Sequence, residues 1–125
     1  MDKVKDGISS ERLSEAVVEG MKETKASDIT VLDLREVDNA VTDFFVICTG
    51  TSSTQIEGIA QSIIRLTRKT LKERPWHKEG QGHSNWVLID YVSVVVHVFS
   101  RELREYYDLE ELWADAKKQE VVTKY

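Results

Sequence analysis

Asp43-Phe44-Phe45-Val46-Ile47-Cys48-Thr49-Gly50-Thr51-Ser52-Ser53-Thr54 is the stretch on which the fold turns. From Phe44 to Cys48 it is apolar on both alternating faces, which suits a central strand covered on both sides rather than one wetted on one side. The run stops at Gly50. Ser52 with Gln55, or Thr54 with Glu57, then has the spacing of a reciprocal cap for the free amides of a helix N-terminus. Beyond it, Ile56, Ile59, Ala60, Ile63, Ile64, Thr67 and Leu71 fall on one helical stripe, and Pro75, which lacks an amide donor, is expected to end the helix.

Working outward, Leu13, Ala16, Val17, Gly20 and Met21 predict a helix over about 9–24 with Ser9 or Ser10 as N-cap. Ile29-Thr30-Val31-Leu32-Asp33-Leu34 alternates as a half-buried strand should. On the C-terminal side, Trp76-His77-Lys78-Glu79 reads as a short strand and Gly80-Gln81-Gly82-His83-Ser84-Asn85 as a mobile loop. Trp86-Val87-Leu88-Ile89-Asp90-Tyr91 and Ser93-Val94-Val95-Val96-His97-Val98-Phe99 read as a hairpin. A helical segment starts at Ser100 and restarts at Asp108, with Leu109, Leu112, Trp113 and Ala116 along one side, and Lys117 to Tyr125 is expected to fray.

These elements predict a single domain over residues 1–125, ordered over about 9–116. Its class is α/β (α+β), a mixed five-stranded sheet with helices packed on it. Three helical segments are few for such a sheet. Part of one face is expected to stay bare, and an exposed apolar sheet face marks a protein partner or a second copy of the chain.

The bulk properties agree with a globular domain. The 125 residues are 41% hydrophobic and 31% charged with one Pro, which excludes disordered and fibrous classes. A net charge of −5 argues against any global attraction to nucleic acid or an anionic membrane. The charge is uneven, however: residues 65–78 carry six cations against Glu73 alone, net +5, where residues 1–64 carry six cations against twelve acids, net −6. Cys48 is the only cysteine and cannot close an intramolecular disulfide, and the first residues lack an apolar signal core, so a cytoplasmic setting with no membrane is expected.

Chemistry has few footholds. Gly50-Thr51-Ser52-Ser53-Thr54 starts like a nucleophile elbow but lacks the second Gly, and no P-loop string is present. The turn and helix N-terminus could still hold a nucleotide phosphate, which keeps a nucleotide-binding or nucleotidyltransferase-like enzyme using Gly50 to Ser53 as the alternative function. His77, His83, His97 and Cys48 lack metal-ligand spacing, so neither a metal nor another cofactor is expected. Asp33, Asp43 and Asp90 sit near strand ends, where turn formation is the simpler role. The stretch from Arg65 to Lys78, with Trp76, could meet RNA phosphate, or be an ordinary solvated helix exterior.

Four separated motifs then carry a resemblance. They are Asp43 to Ser52, Trp86-Val87-Leu88-Ile89-Asp90-Tyr91, Val94-Val95-Val96-His97-Val98-Phe99, and Tyr106-Tyr107-Asp108-Leu109-Glu110-Glu111-Leu112-Trp113. In this order, over about residues 10–114, they resemble the ribosomal silencing factor family, also called Iojap. The resemblance implies a nucleotidyltransferase-like fold without catalysis. Enzymes of that fold need two strand-borne carboxylates soon after a Gly-Ser turn, and here the long helix follows instead. It further implies binding to the large ribosomal subunit through ribosomal protein L fourteen, with steric blockage of small-subunit joining when nutrients are short.

By motif match the family's contact positions fall on Trp86 and Tyr91. Val87, Leu88 and Ile89 between them have the composition of an interface centre, and Asp90 and Glu79 are candidates for its polar rim. One departure matters: the family usually carries Gly-Asp after the Tyr-like position, where this chain has Val92-Ser93. A two-residue turn needing positive φ would be strained by Val92, so a different turn, or strands that run on, is expected.

Overall fold

The computed structural model describes residues 8–80 and 85–125. The element order is α1 (Ser10–Glu23), β1 (Ser27–Asp33), β2 (Phe44–Gly50), α2 (Ser53–Leu71), β3 (His77–Glu79), β4 (Trp86–Asp90), β5 (Val94–Ser100), α3 (Arg101–Tyr107), α4 (Leu109–Leu112) and β6 (Lys117–Glu120). The loop expected at residues 81–84, His83 included, lies outside the described residues. Three helices start on a serine cap. Ser9 Oγ accepts the Arg12 amide at 3.1 Å and Ser100 Oγ that of Leu103 at 3.2 Å. At α2 Ser52 Oγ accepts the Gln55 amide at 3.0 Å, and Gln55 Oε1 reaches back past the cap residue to accept the Thr51 amide at 2.6 Å, a variant of the expected reciprocal cap.

Among the described residues six strands form one mixed sheet, ordered β3-β4-β5-β2-β1-β6, rather than the expected five. Only β2 and β5 run parallel; the other neighbours are antiparallel. Central β2 is buried at every residue, as its two-sided apolar run requires. The sixth strand corrects the expectation that residues 117–125 fray. Lys117–Glu120 pairs with β1 from Asp33↔Lys117 to Thr30↔Glu120, the Val121 amide donates to Ile29 O at 2.9 Å, and Tyr125 Oη donates to Ala26 O at 2.7 Å. The driving force is the free edge of β1, whose backbone groups take any strand as partner. All four β6 side chains are exposed, so no apolar period announced it.

Helices α1 and α2 cover one face, where Val17, Met21, Ile56, Ile59 and Ile63 meet Val46, Cys48, Val87, Ile89, Val96 and Val98 in the main core. Their crossing is close. A Cβ on Gly20 would lie 2.8 Å from Ile63 Cα, and Ser62 Oγ donates to Gly20 O at 2.8 Å across the same contact. Gly50 is needed for a similar reason, since a Cβ there would stand 2.7 Å from Ile56 Cγ1. Pro75 is not what ends α2. The helix closes at Leu71, where Lys72 turns left-handed at φ 60° and the Glu73 amide folds back onto Thr67 O at 3.2 Å.

The opposite face is only partly covered. Leu103, Leu109, Trp113 and Ala116 pack on Leu32, Leu34, Phe45, Ile47 and Phe99, which lie on or beside β1, β2 and β5. Arg104 fastens this cover: its guanidinium donates to Thr49 Oγ1 and Thr30 Oγ1 at 3.0 Å each, to Asp28 O, and to Glu110 at 2.7 Å. Leu112, expected on the packed side, is 69% exposed. Among the described residues no helix is long and apolar enough to cross a membrane.

Candidate partner-docking face

The β4 register divides the candidate residues between the two sides of the sheet. Val87 and Ile89 point under α1 and α2 and are at most 1% exposed. Tyr91 continues on that side: it is 7% exposed, and its hydroxyl lies 2.7 Å from Thr67 Oγ1 of α2. Trp86, Leu88 and Asp90 point to the other, half-covered face and are themselves half-buried. Cross-strand pairing sets Trp86 against Phe99, Leu88 against His97 and Asp90 against Val95 on that face. Glu79 of β3 stands beside Leu88, exposed, and bonds His77 at 2.9 Å. The structure therefore brings Trp86, Leu88, Asp90 and Glu79 onto one surface and places Val87, Ile89 and Tyr91 behind it.

An aromatic layer floors this surface. Trp86 stacks on His97 and Phe99 with centroids 6.3 and 6.2 Å apart, and Tyr107 of α3 lies 6.0 Å from Phe99. Phe45 meets His97 edge-on at 5.2 Å. Trp86 Nε1 can only donate, so His97 Nδ1, at 3.3 Å, is an acceptor and the imidazole proton sits on Nε2. Burial pulls the His97 pKa down to about 4, so the ring is neutral at physiological pH. The centre of the face carries no charge, and its ionised groups lie around it on Asp90 and Glu79. Sequence reasoning missed His97, Phe99 and Tyr107 as members; the period-two positions of His97 and Phe99, opposite Leu88 and Trp86, were the available signal for the first two.

The hairpin tip settles the Val92 question. Val92 does take positive φ, 77°, and the Ser93 amide bonds Tyr91 O at 3.0 Å, which makes a γ-turn. Asp90 Oδ1 accepts the Val92 amide at 2.7 Å, and Thr42 Oγ1 donates to Val92 O at 2.9 Å. The strain is held in place from both sides, and one Asp90 oxygen is engaged in the turn. Tyr91 is fixed beside this turn, its amide bonded to Val94 O at 2.8 Å.

In the Gly50 to Ser53 turn only Gly50 is buried, and the exposed Thr51 and Ser52 spend their polar groups locally. Gly50 permits the approach of Ile56, and Ser52 and Thr51 are bound to Gln55. Among the described residues no three His, Cys, Asp or Glu side chains converge as metal ligands. Burial pushes the Cys48 thiol up to about 12, which keeps it protonated and unreactive.

What fold and face define is an α/β domain displaying a half-covered aromatic sheet face. The comparisons then place it within a family. The model of the family described as "Ribosomal silencing factor during starvation" matches residues 8–124, and the chain belongs to that family. It is 36% identical to ribosomal silencing factor RsfS of Halalkalibacterium halodurans over 109 residues, 87% of this chain and 92% of the relative. It is 32% identical to the mouse protein named mitochondrial assembly of ribosomal large subunit protein 1, over 86% of this chain but 48% of that longer relative. A crystal structure of a Chromobacterium violaceum protein matches with a TM-score of 0.80 at 29% identity, covering 92% of this chain and 94% of that one.

Proposed function

We propose that this chain is a cytoplasmic ribosomal silencing factor that binds the large subunit through ribosomal protein L fourteen. In this reading it blocks small-subunit joining as a wedge, without a chemical step. The observation that carries the reading is the half-covered face of β4 and β5, in a chain of the silencing family. Trp86 and Leu88 are its apolar anchors, Asp90 and Glu79 its acidic rim, and Val87, Ile89 and Tyr91 the buried support that holds β4 in register. An aromatic anchor in a neutral setting with charges at the periphery is the arrangement that gives hot-spot binding.

Co-sedimentation with isolated ribosomal subunits in rising salt tests the partner: near-stoichiometric binding to the large subunit alone is expected, and binding to neither subunit refutes it. Titration against L fourteen tests the face. Trp86→Ala should weaken binding by about 2 kcal/mol, roughly thirtyfold. Leu88→Ala, which leaves the aromatic stack intact, is the companion variant. Less than a threefold loss in both, with folding unchanged, removes the face from the contact. The same surface suits self-association of the free protein, and sedimentation equilibrium with and without L fourteen would show the two competing.

A further inference from the structure

The outer side of α2 has a different chemistry. Arg65, Arg68, Lys69, Lys72 and, just past the helix, Arg74 line an open groove of about 650 Å³. Among the described residues none of the five has a carboxylate within ion-pair distance, whereas Arg12, Lys22, Arg35, Lys78 and Arg104 each do. Favourable interaction with the helix C-terminal dipole accounts for cations in the last turn. It does not require five of them around one groove, where they repel one another until an anion arrives.

Two residues beyond Arg74 stands Trp76, 78% exposed, with its amide fixed to Asp90 O at 2.7 Å. Strand alternation puts Trp76 on the same side of the sheet as Lys78, which reaches Glu57 of α2 at 3.1 Å. A cationic groove followed by an exposed indole matches a phosphate chain carrying flat, unpaired bases. An anionic membrane fits less well, because the apolar stripe of α2 is spent on the core and only one aromatic is left to insert.

We infer that the α2 groove and Trp76 bind single-stranded RNA, the cations holding its phosphates and the indole stacking an unpaired base. The groove shares no residue with the β4–β5 face, so this does not rest on the L fourteen reading.

The test is fluorescence anisotropy of the full chain with a labelled single-stranded RNA of about twenty nucleotides, free of ribosomal protein. Five phosphate contacts predict a slope of about −3.5 in log affinity against log salt, about a hundredfold loss between 50 and 200 mM. Arg68→Gln/Lys69→Gln/Lys72→Gln should flatten this to about sevenfold, and Arg65→Gln/Arg74→Gln, which removes the cations flanking those three and leaves three contacts, to about twentyfold. Trp76→Ala should cost about tenfold in affinity at unchanged slope. No saturable binding at 50 mM salt overturns the inference. So does an unchanged affinity and slope in both multiple variants, or binding to phosphatidylserine vesicles that RNA does not displace.

Discussion

Removing one oxygen from Tyr91 separates a supporting role from a contacting one. In Tyr91→Phe the lost hydroxyl is the one 2.7 Å from Thr67 Oγ1. Thr67 Oγ1 already donates to the carbonyls of Ile63 and Ile64, at 3.0 and 3.2 Å, so Tyr91 is the donor of the pair. Once the phenol is gone Thr67 keeps its own acceptors and no buried donor is orphaned. The cost is then the net worth of one hydrogen bond, about 1 kcal/mol. At a melting entropy of about 2.1 cal/mol/K per residue, this lowers the Tm of a 125-residue chain by about 4 °C.

The same substitution has an alkaline signature. Burial pushes the Tyr91 phenol up to about 12 from its ordinary 10. Between those values the unfolded chain releases a proton that the folded one keeps, so stability falls as pH rises, by up to about 1.4 kcal/mol per unit. Tyr91→Phe removes that component. The assay is thermal unfolding at pH 7, 10 and 11 followed by circular dichroism, beside a titration against L fourteen at pH 7. The expected result is a lower Tm, a shallower alkaline slope and binding unchanged within threefold. An unchanged Tm and slope with a thirtyfold loss of affinity would refute the reasoning and return Tyr91 to the contact surface.

Four further substitutions test other parts of the structure. Gly58→Ala, where a Cβ meets nothing within 4 Å, should raise the Tm by about 4 °C through helix propensity, whereas Gly20→Ala should lose about 1–2 kcal/mol despite the same propensity gain, because its Cβ meets the Ile63 backbone. Denaturant midpoints of the two variants should move in opposite directions. The folded state excludes a proton from His97 down to about 4 that the unfolded chain binds below about 6.5, so stability present above pH 6.5 is lost as pH falls towards 4, by up to about 3 kcal/mol. His97→Gln, which offers Trp86 Nε1 another acceptor, should flatten urea midpoints measured between pH 7 and 4.5. Val92→Gly should gain about 1 kcal/mol by relieving the positive φ at the hairpin tip, read as a higher Tm.

Much of the fold was legible because burial imposes a period. The two-sided run from Phe44 to Cys48 became the central strand, and the stripe from Ile56 to Thr67 became the helix face beneath it. What escaped were features set by backbone groups rather than side-chain pattern. Lys117–Glu120 buries nothing and exists to satisfy the edge of β1, so a charged stretch that reads as a loose tail is a strand. Leu71 ends α2 through a left-handed Lys72, a residue without the usual glycine mark, and Pro75 merely follows.

The candidate site was half legible for a related reason. Trp86 to Tyr91 are adjacent in sequence, and an aromatic and aliphatic run reads as one interface patch. A pleated strand sends every second residue through to the other side, so the run divides into an outward set and a supporting set. The outward set is completed across β5 by His97 and Phe99 and from α3 by Tyr107, which composition alone assigns to the core. The basic stretch divides in the same way: Lys78 turns inward to Glu57, while Arg65 to Arg74 keep their charges free among the described residues. Both surfaces meet at β3, whose backbone pairs with β4 and whose Lys78 anchors α2. A three-residue edge strand with little core of its own thus ties the aromatic face and helix α2 to opposite sides of one sheet edge.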